Sequence, residues 1–548
     1  MAERVVLVGY GPVGARFVEE LLPEVRAGLM HLTVVGAEAD EAYNRVLIAD
    51  FAVGATERES LDMTDAEAAR AAGVRILTGT PVIEVCRTRH TVLLGTGEEV
   101  PYDRLVLATG ARAQLPTLDG LKRPRRDRMR PDADGGMLDS AGAVLPAGVT
   151  VLRDLADACV VAEAVRASRR LVVLGAGVLG MELALAAARA GAEVCVVYHG
   201  AVPMERNLDR GGGSVLARSA RRAGVAMVAH ARAESLLFRT GDDGIPRFDA
   251  LICADGKQIG GDLLVLSCGI AARVELAALS GLAVTRGILV DEGLRSWTDP
   301  DIYAIGDCAH PSPRPERYTE ADVLRLPGGP SGLVGAGWRQ AEWLARRFAG
   351  EIGQNFSGEP TMDREPIALS QPVIMLKAES VDVVAAGRVD ADPWDEPEHD
   401  PTCGVVDRGV AQWIDPEHGR YVKMVTRDGI LEGFIAVGMP RAAAELTLLY
   451  ERRGELPADR SVLLRYDGPD ADASTESTTL TGTVCWCNGV SAERIVEAAR
   501  AGSSTVECIS RDTRAGTGCG GCAGRIGAIL AHVIVGGDGD VVDAVSSG

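Results

Sequence analysis

Two short glycine patterns constrain this chain more than any other feature. Each has the spacing Gly-x-Gly-x-x-Gly and lies between a run of apolar β-forming residues and a helical pattern. Such glycines let backbone amides and a helix N-terminus face a pyrophosphate at close range. The sequence therefore predicts two dinucleotide-binding βαβ units, one with Gly9, Gly11 and Gly14 and one with Gly175, Gly177 and Gly180.

The first unit continues in the way that a dinucleotide site requires. The pattern predicts a strand over Arg4–Val8, a helix over Ala15–Leu22 and a second strand over Leu32–Val35. Glu38 follows that second strand and can accept hydrogen bonds from ribose hydroxyls. A longer connection from Pro23 onward would explain why Glu38 comes nearly thirty residues after the first glycine.

Two later segments add to this site. Thr109 and Gly110 follow a predicted strand over Arg104–Leu107, and Gly306 and Asp307 follow another apolar run. For the three glycines of the first unit, the competing structural interpretation is a tight turn with no ligand. For Asp307 it is a helix N-cap.

The second unit leaves the choice of coenzyme open. Its pattern predicts strands over Leu171–Leu174 and Glu193–Val197, with Glu182 on the helix between them. The second strand lacks the acidic residue that binds the ribose of NADH, and Arg206 follows in a loop where it could meet a 2′-phosphate. We therefore expect NADH or NADPH at this unit.

The carboxyl-terminal part carries a cysteine pattern with metal-ligand spacing. A Cys-x-Cys pair is followed, after 31 residues, by a Cys-x-x-Cys pair, which gives Cys485, Cys487, Cys519 and Cys522 as ligands. Four thiolates can hold a structural zinc ion or a small iron–sulfur cluster. No cysteine pair follows the first glycine unit, where Tyr43, Asn44 and Arg45 lie instead, so we do not expect a disulfide reductase.

Composition excludes several other classes. The 548 residues suffice for three to four domains at roughly 150 residues each. A net charge of -20 argues against nucleic-acid binding, because such a surface repels phosphates. No export signal or membrane span is apparent, and twelve scattered cysteines fit a reducing compartment. We expect a cytoplasmic protein.

The paired glycine units, with Thr109, Gly110 and Asp307, resemble those of flavoproteins with two dinucleotide-binding domains. That resemblance implies FAD at the first unit, with Asp307 bonding its ribityl chain, and NAD(P)H at the second. The cysteine pattern is similar to that of the bacterioferritin-associated-ferredoxin-like module and implies a 2Fe-2S cluster.

The order of all parts resembles the N-terminal half of NAD(P)H-dependent nitrite reductase large subunits and the electron-transfer subunits of assimilatory nitrate reductases. The residues that carry it include Glu38, Tyr43–Arg45, Met204–Asp209 and Gly306–Ala309. It implies that electrons pass from NAD(P)H through FAD and the cluster, that Arg45 lies near the flavin and that no side chain acts as acid, base or nucleophile.

Because no sirohaem-type cysteine motifs follow, we expect the acceptor to be a separate molybdenum-dependent nitrate reductase catalytic subunit rather than a nitrite-reducing domain of this chain. Three alternatives remain. These are a reductase of rubredoxin or ferredoxin, a component of nitrite reductase, and a redox-sensing scaffold that binds flavin and metal without rapid turnover.

The expected fold class is α/β, with two Rossmann-like domains, a small α+β domain and a helical 2Fe-2S domain. Six basic residues within Lys122–Arg130 indicate either a solvated insertion or a docking site for an acidic partner. The expected domains are FAD-binding (1–118 and 287–355), basic insertion (119–149), NAD(P)-binding (150–286), small α+β (366–450), acidic linker (451–480) and 2Fe-2S (483–535).

Overall fold

The computed structural model describes residues 2–63, 65–121, 145–315, 319, 323, 325–353, 372–378, 381–396, 398–400, 404–406, 408–465, 467, 483–485, 490–518 and 522–535. The chain divides into two compact units. The first comprises Met1–Arg166, Glu234–Ile252 and Gln258–Ser370, and the second comprises Ala167–Ala233, Cys253–Lys257 and Gln371–Gly548. The basic run Lys122–Arg130 lies outside the described residues.

The elements are numbered here in chain order. Those before residue 145 are β1 (Glu3–Val8), α1 (Pro12–Arg26), β2 (Met30–Val35), α2 (Ile48–Ala52), α3 (Ala66–Ala71), β3 (Arg75–Leu77), β4 (Val82–Cys86), β5 (Thr91–Leu94), β6 (Glu99–Pro101), β7 (Arg104–Leu107) and β8 (Ala111–Ala113). Those from 145 to 280 are β9 (Val149–Val151), α4 (Leu155–Arg166), β10 (Leu171–Leu174), α5 (Val178–Arg189), β11 (Val194–Val197), α6 (Arg210–Arg222), β12 (Ala226–Val228), β13 (Ala233–Thr240), β14 (Pro246–Cys253), β15 (Gln258–Gly260), β16 (Leu263–Leu266), β17 (Ile270–Ala272) and α7 (Glu275–Leu279).

Further along lie β18 (Ile288–Val290), β19 (Ile302–Ala304), β20 (Ala309–Pro311), α8 (Val334–Gly353), β21 (Ile374–Ala378), β22 (Val381–Gly387), β23 (Glu398–Asp400), β24 (Gly404–Val406), β25 (Arg408–Asp415), β26 (Arg420–Arg427), β27 (Ile430–Val437), α9 (Pro440–Glu451) and α10 (Ser461–Arg465). The last elements are β28 (Thr483–Cys485), β29 (Val490–Ser491), α11 (Ala492–Arg500), α12 (Val506–Thr513) and α13 (Ala523–Val535). Within the described ranges, 3₁₀ turns are present at Arg45–Leu47, Glu59–Leu61 and Gly306–Cys308.

A parallel sheet with the order β19-β7-β1-β2-β3 forms the core of the first unit. Strands β1 and β7 end in buried runs of Val and Leu, as expected when helices cover both faces. Helices α1 and α8 pack together against it, with the Phe17 and Phe348 rings 5.8 Å apart edge to face. This sheet brings the ends of β1, β2, β7 and β19 to one edge.

Helix α1 is longer than the sequence pattern predicts. It continues through Pro23 to Arg26, and Ala27 N still donates to the Pro23 carbonyl at 3.0 Å. The proline ring already has helical φ, so a further turn forms with the loss of one backbone hydrogen bond, because proline has no N–H to donate. The late position of Glu38 therefore reflects a longer helix rather than a long connection.

In the second unit, β10, β11 and β12 pair in parallel, and α5 follows β10 as predicted. The strand bounds differ from the predicted ones by at most one residue. Strands β21, β22, β27, β26 and β25 form an antiparallel sheet in that order, which α9 covers. This sheet and helix form the predicted small α+β domain.

The small domain extends further than its sequence pattern suggests. Leu463 of α10 is 1% exposed within the core of this domain, and both carboxylate oxygens of Asp467 accept hydrogen bonds from backbone amides of α9. Residues 451–465 and 467 of the expected linker therefore pack with the small domain, and residues 468–482 lie outside the described residues.

The carboxyl-terminal domain is small and mainly helical. Helices α11, α12 and α13 enclose a core of their own that includes Ile495, Ile509 and Ile526. Ser491 caps α11, as its hydroxyl accepts from the Arg494 amide at 3.3 Å. Across the described part of the chain, no helix is both long and apolar enough to span a bilayer.

Candidate functional site

The turn after β1 has the geometry of a nucleotide-phosphate site. Gly9 has φ of +114°, and a Cβ there would collide with the Ala108 carbonyl, so only glycine fits. Gly11 is the N-cap of α1, and a Cβ at this position would meet nothing within 4 Å. A Cβ at Gly14 would run into the Gly9 carbonyl. The turn is thus closed behind the backbone and open in front of the helix N-terminus.

Glu38 lies in a cluster with two residues that follow it. Its carboxylate accepts a hydrogen bond from the Tyr43 hydroxyl at 3.0 Å and pairs with the Arg45 guanidinium. Burial alone would raise the pKa of Glu38, but Arg45 and Tyr43 together lower it below the usual range. Glu38 is therefore held ionised as a hydrogen-bond acceptor.

Tyr43 and Arg45 connect this carboxylate to a distant segment. The Tyr43 oxygen accepts from the Leu155 amide at 3.3 Å, and Arg45 Nη1 donates to the Arg153 carbonyl at 3.0 Å. The Arg45 guanidinium also lies 4.8 Å from the centre of the Tyr43 ring. Burial raises the pKa of Tyr43 well above its ordinary value, so its hydroxyl stays a donor.

Asp307 lies in the 3₁₀ turn Gly306–Cys308, whose N-cap is Ile305, so the alternative of an N-cap at Asp307 is wrong. Its carboxylate accepts from Arg153 Nη2 at 2.7 Å, and Arg153 Nε donates to the Ala111 carbonyl at 3.1 Å. Arg153 is only about one-fifth exposed. Arg153 thus joins two groups: its guanidinium binds the Asp307 carboxylate, and its backbone carbonyl accepts from Arg45, the partner of Glu38.

Thr109 and Gly110 hold a second segment beside this site. The Thr109 hydroxyl donates to the Arg273 carbonyl at 2.8 Å, and the Arg273 amide donates to the Gly110 carbonyl at 2.9 Å. A Cβ at Gly110 would meet nothing within 4 Å, so this backbone also faces open space. The first unit therefore brings all of its predicted site residues to one edge of its sheet.

Sequence patterns identified neither Arg153 as a part of this arrangement nor the contact of Tyr43 with Leu155. The Arg153–Asp307 bond joins residues 154 positions apart, and the Tyr43–Leu155 bond spans 112. The signal available for Arg153 was a short buried-type strand, Val149–Val151, that ends two residues before it and that no motif marks.

The second glycine turn repeats the first. Gly175 also has φ of +114°, Gly177 is the N-cap of α5, and a Cβ at Gly177 would meet nothing within 4 Å. Gly180 is buried in the first turn of α5, and Glu182, two residues further along the same helix, is half-buried. This turn belongs to the second unit.

Two of the four predicted cysteine ligands lie in one small core. Cys485 ends β28 and is 1% exposed, and Cys522 precedes α13 and is 7% exposed. Both belong to the same apolar cluster. Cys487 and Cys519 lie outside the described residues, and within the described ones no group of three metal-binding side chains occurs.

The residues present fit the expected groups. An open space before a helix N-terminus and an ionised carboxylate beyond β2 suit a dinucleotide. Two thiols from segments far apart in the sequence that belong to one core suit a shared metal or cluster.

Comparisons with known proteins agree with this architecture. Residues 3–322 match the family model of pyridine nucleotide-disulphide oxidoreductases, and residues 483–532 match that of the BFD-like [2Fe-2S] binding domain. The nitrite reductase [NAD(P)H] of Bacillus subtilis (strain 168) is 28% identical over 97% of this chain and 58% of that protein. The assimilatory nitrate reductase electron transfer subunit of the same organism is 25% identical over 97% of this chain and 60% of that protein.

The chain thus spans about three-fifths of these relatives' length. Among solved structures, the covalent putidaredoxin reductase–putidaredoxin complex superposes with a TM-score of 0.63 and 22% identity, covering 84% of this chain and 96% of that one, which shows a shared fold. The predicted fold class, family resemblance and cofactor set are confirmed. Since the first family model matches more than half of the residues, the chain belongs to the pyridine nucleotide-disulphide oxidoreductases, a family of NAD(P)H oxidoreductases that bind FAD, and carries a BFD-like 2Fe-2S domain.

Proposed function

We propose that this chain oxidises NAD(P)H at a bound FAD and delivers the electrons singly, through a 2Fe-2S cluster, to a separate molybdenum-dependent nitrate reductase. The observation that carries the proposal is the presence of two sites on one chain. One is the glycine turn with the Glu38 and Asp307 carboxylates, and the other is the core that Cys485 and Cys522 share. The Bacillus subtilis electron transfer subunit, similar over 97% of this chain, supports nitrate reductase as the acceptor.

The flavin site would be formed entirely by the first unit. The turn at Gly9, Gly11 and Gly14 would hold the pyrophosphate, Glu38 the ribose hydroxyls and Asp307 the ribityl chain. When bound, FAD accepts a hydride from the nicotinamide and can release its electrons one at a time.

Neighbouring residues prepare Glu38 for this task. Arg45 keeps the carboxylate ionised, and Tyr43 occupies one of its lone pairs, which leaves the remaining lone pairs for ribose hydroxyls. In this proposal Arg45 acts as a positioning residue for Glu38.

Arg153 has the corresponding role for Asp307. Its guanidinium donates to one carboxylate oxygen of Asp307 at 2.7 Å and is fixed by the Ala111 carbonyl. The second carboxylate oxygen then remains for a ligand hydroxyl, and the pair adds no net charge beside the flavin.

The four thiolates Cys485, Cys487, Cys519 and Cys522 would hold the cluster. Burial of Cys485 and Cys522 among isoleucine and alanine side chains excludes water from that side, and such an environment is one of the factors that set a cluster's potential. Hydride transfer followed by electron transfer requires no acid, base or nucleophile from the protein, so the residues bind and orient.

A second candidate acceptor is a nitrite reductase. It is favoured by the Bacillus subtilis nitrite reductase [NAD(P)H], which is 28% identical over 535 residues. In both cases the flavin and the cluster would carry electrons from NAD(P)H, and only the terminal acceptor differs.

An acceptor assay separates the two. The purified chain is mixed with NADH or NADPH and with either a nitrate reductase catalytic subunit or a sirohaem nitrite reductase, and nitrite and ammonium are measured. We expect coenzyme-dependent nitrite production that Cys485→Ser abolishes, with Cys159→Ser, an exposed cysteine of α4, as the unaffected control. Ammonium without nitrite production would favour the second candidate, and neither product would reject both.

A further inference from the structure

The two glycine units can be compared residue by residue through their backbone hydrogen bonds. Gly9 N donates to the Val35 carbonyl at 2.8 Å, and Gly175 N donates to the Val197 carbonyl at 2.8 Å. Val35 and Val197 are the last residues of β2 and β11. The ends of these two strands are therefore equivalent.

The equivalence extends three residues beyond each strand. The Gly36 and Tyr198 amides donate to the Leu77 and Val228 carbonyls, at 2.7 and 3.0 Å. The Glu38 carbonyl accepts from the Gly79 amide at 2.7 Å, as the Gly200 carbonyl accepts from the His230 amide at 3.1 Å. Gly200 thus occupies the backbone position that Glu38 has in the flavin unit.

Gly200 has no side chain, but another carboxylate fills the space. The carboxyl carbon of Glu205 lies 3.0 Å from where a Cβ at Gly200 would be, and one of its oxygens is closer still. Its Oε1 also accepts from the Ala201 amide at 3.4 Å. A carboxylate is therefore present beside β11 although the strand itself ends without one.

The loop that carries Glu205 is fixed at both ends. Met204 N donates to the Ala176 carbonyl, inside the glycine turn, at 2.8 Å, and Met204 has φ of +53°, an uncommon conformation for a non-glycine residue. At the other end Asp209 caps α6 by accepting from the Gly212 amide at 2.8 Å. The position of Glu205 is thus set by the surrounding backbone.

The small domain supports the same loop. Lys423 of β26 is almost completely buried, and its Nζ donates to Asp209 Oδ2 and to the Val389 carbonyl, each at 2.9 Å. The Tyr421 hydroxyl donates to the same Asp209 oxygen. These contacts all lie within the second unit.

We infer that Glu205 is the residue that recognises the adenosine ribose of the nicotinamide coenzyme, and that it selects NADH against NADPH. An ionised carboxylate accepts hydrogen bonds from the free 2′-hydroxyl and repels a 2′-phosphate. This inference rests on the proposed function and adds the choice of coenzyme to it. It assigns that choice to Glu205 and not to Arg206, the neighbouring exposed cation.

The test measures coenzyme fragments that undergo no redox chemistry. Isothermal titration calorimetry of the full chain with ADP-ribose and with 2′-phospho-ADP-ribose gives two dissociation constants. We expect the wild-type chain to bind ADP-ribose the more tightly. In Glu205→Gln, ADP-ribose binding should weaken about tenfold or more, and the preference should shrink.

The matched control is Glu193→Gln, which makes the same change just before the start of β11, on an exposed glutamate at the opposite end of the strand. It should leave both constants unchanged. The flavin content of each variant shows whether it is folded. The ratio of the two dissociation constants does not change if a fraction of the protein is inactive.

A wild-type preference for the 2′-phosphate, or an unchanged ratio in Glu205→Gln, would overturn the assignment. Flavin bleaching by NADH and NADPH is followed in the same preparation. If both fragments fail to bind while bleaching persists, the assignment fails and the proposed function stands. If bleaching also fails, both are rejected.

Discussion

Single residues of the proposed flavin site show what can and what cannot be predicted from a sequence. Glu38 and Asp307 follow predicted strands in known patterns, so their positions could be predicted. The contacts of Tyr43 with Leu155 and of Arg153 with Asp307 could not be predicted, because these hydrogen bonds join segments more than 100 residues apart. The missing acidic residue beside β11 is a similar case, since Glu205 reaches that space from five residues further along.

At this scale we predict that Tyr43→Phe weakens FAD binding about tenfold. The variant loses the hydroxyl that positions Glu38 and accepts from the Leu155 amide, and one such bond is worth on the order of 1 kcal/mol. The dissociation constant is obtained by diluting the protein and measuring the fluorescence that FAD recovers when it is released. Tyr102→Phe removes a buried hydroxyl elsewhere in the same unit and should have no effect.

Glu38 also predicts how FAD binding depends on pH. Because its pKa is lowered from the ordinary 4.5, the carboxylate stays ionised in the folded protein, and its contribution is complete above that value. The contribution is lost as the pH falls through the lowered pKa. FAD affinity should therefore be constant from about pH 5 upward and should drop below about pH 4.5. The Glu38→Gln variant should bind more weakly at neutral pH and lack this acid-dependent step; an identical profile in both proteins would contradict this role.

At the scale of elements, the two βαβ units were predictable because glycine spacing and apolar runs are local signals. The packing of β26 against α6 was not. It depends on a buried Lys423–Asp209 pair that joins residues 214 positions apart. Burial and Asp209 also raise the pKa of Tyr421, so its hydroxyl remains the second donor to the same carboxylate.

This pair makes a testable energetic prediction. Lys423→Met should lower the free energy of unfolding by about 3 kcal/mol, because it leaves Asp209 without its buried cation. Asp209→Asn should be costly for the same reason, whereas the double variant should lose much less than the sum. Urea unfolding of the four proteins measures the coupling; costs that simply add would show that the pair does not interact.

At the scale of the whole molecule, the sequence predicted the order of the parts, because each carries its own motif. It could not predict that residues 451–465 pack with the small domain, since Leu463 and Asp467 act through contacts with distant elements.

In the proposed function, the first unit holds FAD and the carboxyl-terminal domain holds the cluster. Cys485→Ser should therefore remove the cluster and its iron while FAD content and the rate of flavin bleaching stay within about twofold of wild type, as metal analysis and stopped-flow absorbance would report.

One experiment tests the central claim most directly. The purified, iron-replete chain is titrated anaerobically with NADH, the flavin is followed by its visible absorbance and the cluster by electron paramagnetic resonance. We predict that the flavin bleaches and that the signal of a reduced 2Fe-2S cluster appears with it, and that in Cys485→Ser only the flavin responds. Bleaching of the wild-type flavin with no cluster signal, in protein whose cysteines hold zinc or no metal, would contradict the proposed electron path.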